Sequence, residues 1–106
     1  MLYIFYGIDD PARAHLRAEL RDKHLAYLDK FKDRLVLSGA MLADDGPNPG
    51  RLGSVLIVNM PSMSAVEEFA ANEPFSKGGL FKSSSVTRMR RGQWNPAAAP
   101  KTPEGN

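Results

Sequence analysis

The chain lacks cysteine entirely and has no long apolar run. Disulfides, thiolate metal sites and cysteine nucleophiles are therefore excluded, and a cytoplasmic location is favoured because small secreted domains commonly depend on disulfides. The longest apolar segments, such as 1–6 and 55–58, fall far short of the roughly 20 residues that a membrane-spanning helix needs, and the N-terminus has no signal-peptide pattern. We expect a soluble protein without a membrane partner.

The sequence has neither a large excess of positive or negative charge nor a known ligand-binding motif. The formal net charge is +2 and the basic residues are scattered along the chain, so nucleic acid is not an expected partner. The sequence contains no phosphate-binding glycine loop, nucleotide fingerprint or nucleophile elbow. Asp44 and Asp45 lie in a turn-rich segment but lack the spaced ligands of a Ca²⁺ loop. We therefore predict no cofactor and no metal site.

The composition is that of one folded domain, with 42% hydrophobic and 25% charged residues among 106, which suffices for a single core. Segments rich in β-branched and aromatic residues predict four strands, at 1–6, 35–41, 53–59 and 84–94. Gly7 is expected to end the first strand. Apolar residues at three- and four-residue spacing predict a helix that begins at Asp9-Asp10-Pro11 and ends near Asp33.

A second helix is predicted after Pro61, with Ser62 or Ser64 as its N-cap. It should end near Asn72, because Pro74 disfavours helical geometry in the residue before it. The predicted inward face of this helix carries Met63, Val66, Phe69 and Ala70.

The order strand, helix, strand, strand, helix, strand is typical of the α+β class and predicts a ferredoxin-like βαββαβ sandwich. Its four-stranded antiparallel sheet should carry the two helices on one face, because crossover connections are right-handed. Residues 1–94 are assigned to this domain. Residues 95–106, rich in proline and alanine, are predicted to form a C-terminal tail.

The first and third strands are apolar on both of their sides, although the helices can cover only one face of the sheet. A bare apolar face of several hundred square ångströms exceeds what soluble monomers usually expose. The simplest cover is the same face of a second copy, with the two sheets about 10 Å apart. We expect a homodimer through the open sheet face.

The two histidines differ in their predicted environments. Helix geometry puts His24 beside Leu20, Leu28 and Phe31 on the buried stripe, whereas His15 faces the opposite side and is expected to be solvated. His24 could be a core-edge residue bonded to a backbone carbonyl. Alternatively, it could lie at a cleft, where an imidazole exchanges protons near neutral pH.

Several short motifs, taken in order, resemble the YCII-related family from Met1 to about Trp94. They are Arg21-Asp-Lys-His24-Leu-Ala-Tyr-Leu28, Leu37-Ser-Gly39, Gly53-Ser54, Glu73-Pro-Phe75 and Gly78-Gly-Leu-Phe81. The resemblance implies a dimeric α/β-barrel assembly and a histidine–aspartate pair in a cleft between helix and sheet. It also implies a link to a member type that acts as a dehydrochlorinase on a chlorinated hydroxyquinone.

Carried over to this sequence, the family pair falls on His24 and Glu73, with glutamate in place of the family aspartate. The longer side chain leaves two outcomes open: the pair persists with a shifted backbone, or catalysis has been lost. Candidate small-molecule-binding residues are Arg21, Ser38, Tyr6 and Arg88. Their structural alternatives are a solvated helix charge, a polar turn group, sheet packing and an edge-strand charge that blocks pairing.

Two main functions follow. The first is a cofactor-independent acid–base enzyme that carries out elimination, dehydrochlorination or isomerisation of a small cyclic or aromatic compound with His24 and Glu73. The second is a non-catalytic small-molecule-binding or structural dimer module. A third possibility is an accessory module that acts on a partner protein. Close contact between the His24 ring and the Glu73 carboxylate would favour the enzyme.

Overall fold

A computed structural model describes residues 1–105 and shows one four-stranded antiparallel sheet in the order β2-β3-β1-β4. The strands are β1 (Leu2–Asp9), β2 (Leu35–Leu42), β3 (Arg51–Asn59) and β4 (Phe81–Met89), and the helices are α1 (His15–Glu19), α2 (Arg21–Lys30), α3 (Met63–Asn72) and α4 (Pro74–Lys77). Single 3-10 turns lie at Pro11–Arg13 and Pro96–Ala98. The predicted α+β, ferredoxin-like topology is confirmed.

The core lies between one face of the sheet and the helices. Alternate residues of the central strands, including Tyr3, Phe5, Leu56 and Val58, are buried there. The helices contribute a second set of buried apolar side chains, made up of Leu28, Val66, Phe69, Ala70 and Phe75. Because successive strand residues point to opposite faces, the intervening residues form the open face of the sheet.

The first strand does not end at Gly7 as predicted. It continues to Asp9, with Gly7 paired to Ser54 on β3 and to Ser84 on β4. A Cβ at position 7 would lie 2.7 Å from the Phe81 ring. Glycine is therefore required here for the close approach of that ring, and it does not act as a strand breaker.

The predicted first helix is interrupted. Asp10 caps the 3-10 turn by accepting a hydrogen bond from the Ala12 N–H, and α1 and α2 meet at Leu20, which has φ −96° and ψ −1°. The Leu20 N–H still donates to the Leu16 carbonyl and the His24 N–H to the Leu20 carbonyl. The two helices are consequently almost continuous. The single predicted helix was wrong at its N-terminal end, at this junction and at its C-terminal end, because α2 ends at Lys30 and not near Asp33.

The second predicted helix is confirmed as α3, with Ser62 as the N-cap accepting from the Ala65 N–H. Val66, Phe69 and Ala70 are buried as expected, whereas Met63 is 37% exposed and was wrongly placed inside. The fourth strand begins earlier than predicted, at Phe81, and ends at Met89 instead of Trp94. Gly79, at φ +87°, turns the chain into this strand.

The assignment of residues 95–106 to a tail stays a prediction, and Asn106 lies outside the described residues. Within residues 1–105, no helix has the length and apolar character required to cross a membrane.

Candidate active site

The predicted pair is formed: Nδ1 of His24, on α2, is hydrogen-bonded to Oε1 of Glu73, between α3 and α4. The Glu73 side chain is fully buried and the His24 side chain is 13% exposed. The two residues are 49 positions apart in the chain, so the contact depends on the packing of α2 against α4. The longer glutamate side chain therefore retains the contact expected of the family pair.

Glu73 is also the N-cap of α4. Its Oε2 accepts hydrogen bonds from the backbone N–H groups of Phe75, at 3.1 Å, and Ser76, at 3.2 Å. Both oxygens of the buried carboxylate are thus satisfied, one by the imidazole and the other by the helix N-terminus, where negative charge is favoured. Because the backbone fixes Oε2, the position of Oε1 is also fixed, and Oε1 accepts from the imidazole in a single orientation.

The imidazole of His24 is held by two contacts. Nδ1 faces Glu73, and the ring stacks on Phe75 with centroids 4.0 Å apart and an interplanar angle of 13°. Within residues 1–105, Nε2 has no hydrogen-bond partner, and no buried side-chain nitrogen or oxygen is unsatisfied, so Nε2 is reached by solvent. The ring therefore presents one nitrogen to a buried carboxylate and the other to the outside.

An ion pair that the sequence did not reveal adjoins this site. Arg17, on α1, donates from Nε and Nη2 to the two carboxylate oxygens of Asp9 at 2.8 and 2.7 Å, and from Nη2 to Ser54 Oγ at 3.0 Å. The Arg17 Cζ atom also lies 4.8 Å from the centroid of the Phe75 ring. His24 and Arg17 thus contact the same aromatic ring.

The spacing between Arg17 and His24 is the one sequence feature that indicates that Arg17 lies near the site. Arg17 lies seven residues before His24, nearly two helical turns, and therefore on the same side of the helix. Its partner was obscured because Asp9, predicted to start the helix, is instead the buried last residue of β1. Ser54 was named only as part of a family motif.

Two of the candidate binding residues, Ser38 and Tyr6, lie on opposite faces of the sheet. Ser38 pairs with Leu56 on the helix-facing side of the sheet, next to the Ala40–Ser54 pair, and is exposed. Tyr6 lies on the open face, 41% exposed and paired with Val55 and Ser85, away from His24.

The two arginine candidates differ in position, because Arg21 lies one helical turn before His24 and Arg88 lies at the far end of the sheet. Arg21 is exposed on α2 and has no described hydrogen bond or ion pair within residues 1–105. Arg88 pairs with Tyr3, six residues along β1 from Asp9 and hence about 20 Å away along the strand. The structure therefore separates Tyr6 and Arg88 from His24, whereas Ser38 and Arg21 stay predicted ligand-binding residues.

Tyr27 lies one turn beyond His24 and donates its hydroxyl hydrogen bond to the Phe69 carbonyl at 2.9 Å. Burial, and to a smaller degree the charges of Glu73 and Glu68, raise the pKa of the Tyr27 phenol above its ordinary value of 10.0. The Tyr27 hydroxyl is therefore a stable donor that links α2 to α3.

Two surface grooves are present elsewhere. One, of about 340 Å³, is lined by residues of α3, α4 and β4, and the other, of about 260 Å³, lies between α2 and α3. Neither is lined by His24 or Glu73. No group of three or more histidine, aspartate or glutamate side chains in the described range is arranged to hold a metal ion.

The fold and the site define a ferredoxin-like α+β protein with a histidine–carboxylate pair beneath a short capped helix. The chain belongs to the YCII-related family, whose domain model matches residues 1–90. Protein YciI of Escherichia coli O6:H1 is 31% identical over 96 residues, covering 86% of this chain and 98% of that protein. An uncharacterized protein of Haemophilus influenzae is 30% identical with the same coverage.

A solved structure extends the likeness to an enzyme. The 5-chloro-2-hydroxyhydroquinone dehydrochlorinase (TftG) of Burkholderia phenoliruptrix AC1100, in complex with 2,5-dihydroxybenzoquinone, is similar to this chain with a TM-score of 0.81 and 33% sequence identity. The similarity covers 87% of this chain and 96% of that one.

Proposed function

We propose that this chain is a cofactor-independent acid–base enzyme acting on a small cyclic or aromatic compound, by elimination or isomerisation. The observation that carries the proposal is the His24–Glu73 hydrogen bond, which leaves Nε2 of the imidazole free. In this proposal His24 is the catalytic residue that moves the proton. Glu73 is a positioning residue that acts through it.

The geometry supports proton abstraction at Nε2. A carboxylate that accepts from Nδ1–H fixes the tautomer in which Nε2 carries the lone pair, and it stabilises the imidazolium that forms when Nε2 takes a proton. Because the Glu73 carboxylate is already held by two backbone N–H groups, little reorganisation accompanies this step. Stacking on Phe75 restricts rotation of the ring.

Loss of HCl from a chlorinated hydroxyhydroquinone is the reaction that we propose to test first, because the similar dehydrochlorinase is named for that substrate. The C–Cl bond breaks and chloride leaves with the bonding pair. One hydroxyl proton moves to the ring carbon and a second is released through the base, so the ring is left as a hydroxyquinone. No external oxidant is needed, since chloride carries away the electron pair.

The experiment is turnover of 5-chloro-2-hydroxyhydroquinone, followed by chloride release under anaerobic conditions. We expect His24→Asn to lower the rate by roughly 10²- to 10⁴-fold, the range for loss of a general base. His15→Asn is the matched control, because His15 is exposed at the start of α1, and it should retain the wild-type rate. Wild-type-like turnover by His24→Asn would contradict the proposal.

A non-catalytic binding module is the second candidate, and the observation in its favour is that neither surface groove is lined by His24. Calorimetric titration with 2,5-dihydroxybenzoquinone distinguishes the two candidates. Binding without turnover of any chlorinated or unchlorinated hydroxyquinone would favour the module. Binding together with turnover that depends on His24 would favour the enzyme.

We also propose that the chain forms a homodimer through the open sheet face. Support comes from the apolar side chains on that face, where Ile4 pairs with Ile57 at the centre and Tyr6 pairs with Val55. Leu37, beside Ile57 on β2, is 59% exposed. The cytoplasmic location stays a prediction.

A further inference from the structure

Arg17 has an unused hydrogen-bonding edge and packs against the same Phe75 ring as the proposed proton acceptor. Three of its N–H groups are occupied, by the two oxygens of Asp9 and by Ser54 Oγ. Within the part of the chain that the structure describes, Nη1 has no partner, and since no buried side-chain nitrogen there is unsatisfied, Nη1 is open to solvent. A guanidinium held on one edge presents two N–H donors on the other.

The supporting contacts hold Arg17 in place. Asp9 and Ser54 are 8% and 6% exposed, and Asp9 accepts in the two-bond geometry that makes arginine–carboxylate pairs directional. The guanidinium also lies against the Phe75 ring, on which His24 stacks. Arg17 and His24 are thus fixed relative to each other through one buried aromatic side chain.

The surface next to Arg17 can admit a ligand. Ser38 and Ala40 on β2 are exposed on the helix-facing side of the sheet, and Ala40 pairs directly with Ser54. The helices therefore leave this part of the sheet uncovered beside the Arg17–Ser54 contact. A flat ring lying there would meet the free donor edge of Arg17, whose guanidinium shares the Phe75 ring with His24.

We propose that Arg17 is a specificity-determining residue whose Nη1 binds an ionised oxygen of the substrate, so that the preferred substrates are small ring compounds bearing a phenolate or enolate oxygen. This inference rests on the proposed function and names the substrate class for the same site. Asp9 neutralises much of the arginine charge, so recognition depends on the directed N–H groups more than on long-range attraction. The developing oxyanion of an elimination would be bound in the same way.

The test compares two ligands of one ring size by calorimetry at pH 7. The first is 2,5-dihydroxybenzoquinone, whose hydroxyl groups are vinylogous acids and are ionised in neutral solution. The second is hydroquinone, whose phenols stay protonated because ordinary phenols titrate near pH 10. The measured quantity is the ratio of the two dissociation constants, which a purely structural role of Arg17 would not change.

Two variants separate binding from folding. Arg17→Lys keeps a positive charge that pairs with Asp9 but has no second nitrogen to bind the ligand. The double variant Asp9→Leu with Arg17→Met removes both partners of the ion pair, so that no unpaired charge is buried. Thermal unfolding verifies that each variant folds. Lys23→Gln, an exposed position on α2, removes one positive charge nearby and is the control for general electrostatics.

We expect the wild-type chain to prefer the anionic ligand by roughly 10- to 100-fold, as for a hydrogen bond to a charged group. Both Arg17 variants should lose most of that preference, whereas Lys23→Gln should keep it. The role of Arg17 is overturned if the ratio of dissociation constants is unchanged in the Arg17 variants, or if the wild type does not prefer the anionic ligand. The proposed function still holds in that case, provided that turnover depends on His24. A wild-type chain that neither binds nor converts these compounds overturns both.

Discussion

At the scale of single residues, Glu73 is the side chain on which the site depends. Its carboxylate is fully buried, one oxygen accepting from two backbone N–H groups of α4 and the other facing the His24 ring. A buried carboxylate without such partners would be strongly destabilising. The same contacts that make its burial acceptable also orient the imidazole, so folding and orientation share one set of hydrogen bonds.

Replacing Glu73 by glutamine separates these two roles. The amide oxygen can still accept from the Phe75 and Ser76 N–H groups, but the NH₂ group then faces Nδ1 of His24 and donates to it. The imidazole would adopt the tautomer with its proton on Nε2, which is no longer a base. We expect a loss of turnover of roughly 10²- to 10⁴-fold with a change of only about 1 kcal/mol in the free energy of unfolding.

Chloride release and urea unfolding of Glu73→Gln measure the two quantities. Turnover close to that of the wild type would show that the tautomer of His24 is not controlled by this residue.

Tyr27 gives a prediction about pH. Its pKa in the folded chain is raised above 10.0, mainly by burial, so the folded state holds the phenolic proton more tightly than the unfolded state. The resulting stabilisation is complete below about pH 10 and is lost as the pH rises through the folded-state pKa.

Tyr27→Phe also loses the hydrogen bond to the Phe69 carbonyl, so we expect it to be about 1 kcal/mol less stable than the wild type at pH 8. The difference in the free energy of unfolding between wild type and variant should decrease above about pH 10, because only the wild type has a phenol to ionise. Urea unfolding between these pH values measures it. A gap that stays constant over the range would contradict the prediction.

The residues that the sequence could and could not predict differ in a physical way. His24 and Glu73 were found from helix periodicity and a family motif, both of which are local patterns. Arg17 was missed because its pairing with Asp9 and Ser54 joins three different elements. Tyr6 was placed in the cleft because sequence shows only that strand residues alternate, without giving the face to which each set points.

At the scale of elements, the strand and helix types were predictable and their ends were less so. Gly7 reads as a stop from local propensity, yet β1 continues through it because both neighbouring strands pair with it. The break at Leu20 has no local signature, since leucine is a good helix former. Tertiary contacts decided both positions.

The close approach of β3 to β1 gives a test of this packing. A Cβ at Gly53 would overlap the Gly7 carbonyl oxygen and come within 2.7 Å of the Met41 side chain, whereas a Cβ at Gly50 would have only Ala43 near it, at 3.8 Å. We expect Gly53→Ala to lower the free energy of unfolding by about 1–3 kcal/mol, because the obstacle is backbone.

Gly50→Ala is the matched control and should change the free energy of unfolding by less than about 0.5 kcal/mol. Urea unfolding measures the free energy of unfolding of both variants. Equal stability of the two would show that β1 and β3 can separate at this point without cost.

At the scale of the whole molecule, the element order was sufficient to predict the topology. Six elements in that order, joined by right-handed connections, allow few arrangements of a four-stranded sheet, and the observed strand order is the expected one. The same reasoning predicts an uncovered apolar sheet face. Its expected partner is the same face of a second copy, so the prediction concerns the mass of the assembly.

Light scattering tests the homodimer directly. The wild-type chain should have twice the monomer mass of 11.7 kDa at micromolar concentration. Ile57→Lys puts a charge at the centre of the open face, beside Ile4 and Leu37, and should give the monomer mass, since a buried unpaired charge is costly.

Leu25→Lys, at an exposed position on α2, is the control and should leave the mass of the wild type unchanged. Circular dichroism verifies that both variants are folded. A wild-type mass of one chain would exclude assembly through this face.

The shared carboxylate of Glu73 has an evolutionary consequence. A residue that both starts a helix and holds a histidine is retained by selection for folding alone, even after an ancestral activity disappears. An acidic residue at this position in another family member is therefore weak grounds for assigning it an enzymatic role. His24 in turn satisfies Oε1 of the buried carboxylate, so selection for folding acts on both members of the pair, and only the use of the free Nε2 separates a catalytic pair from a structural one.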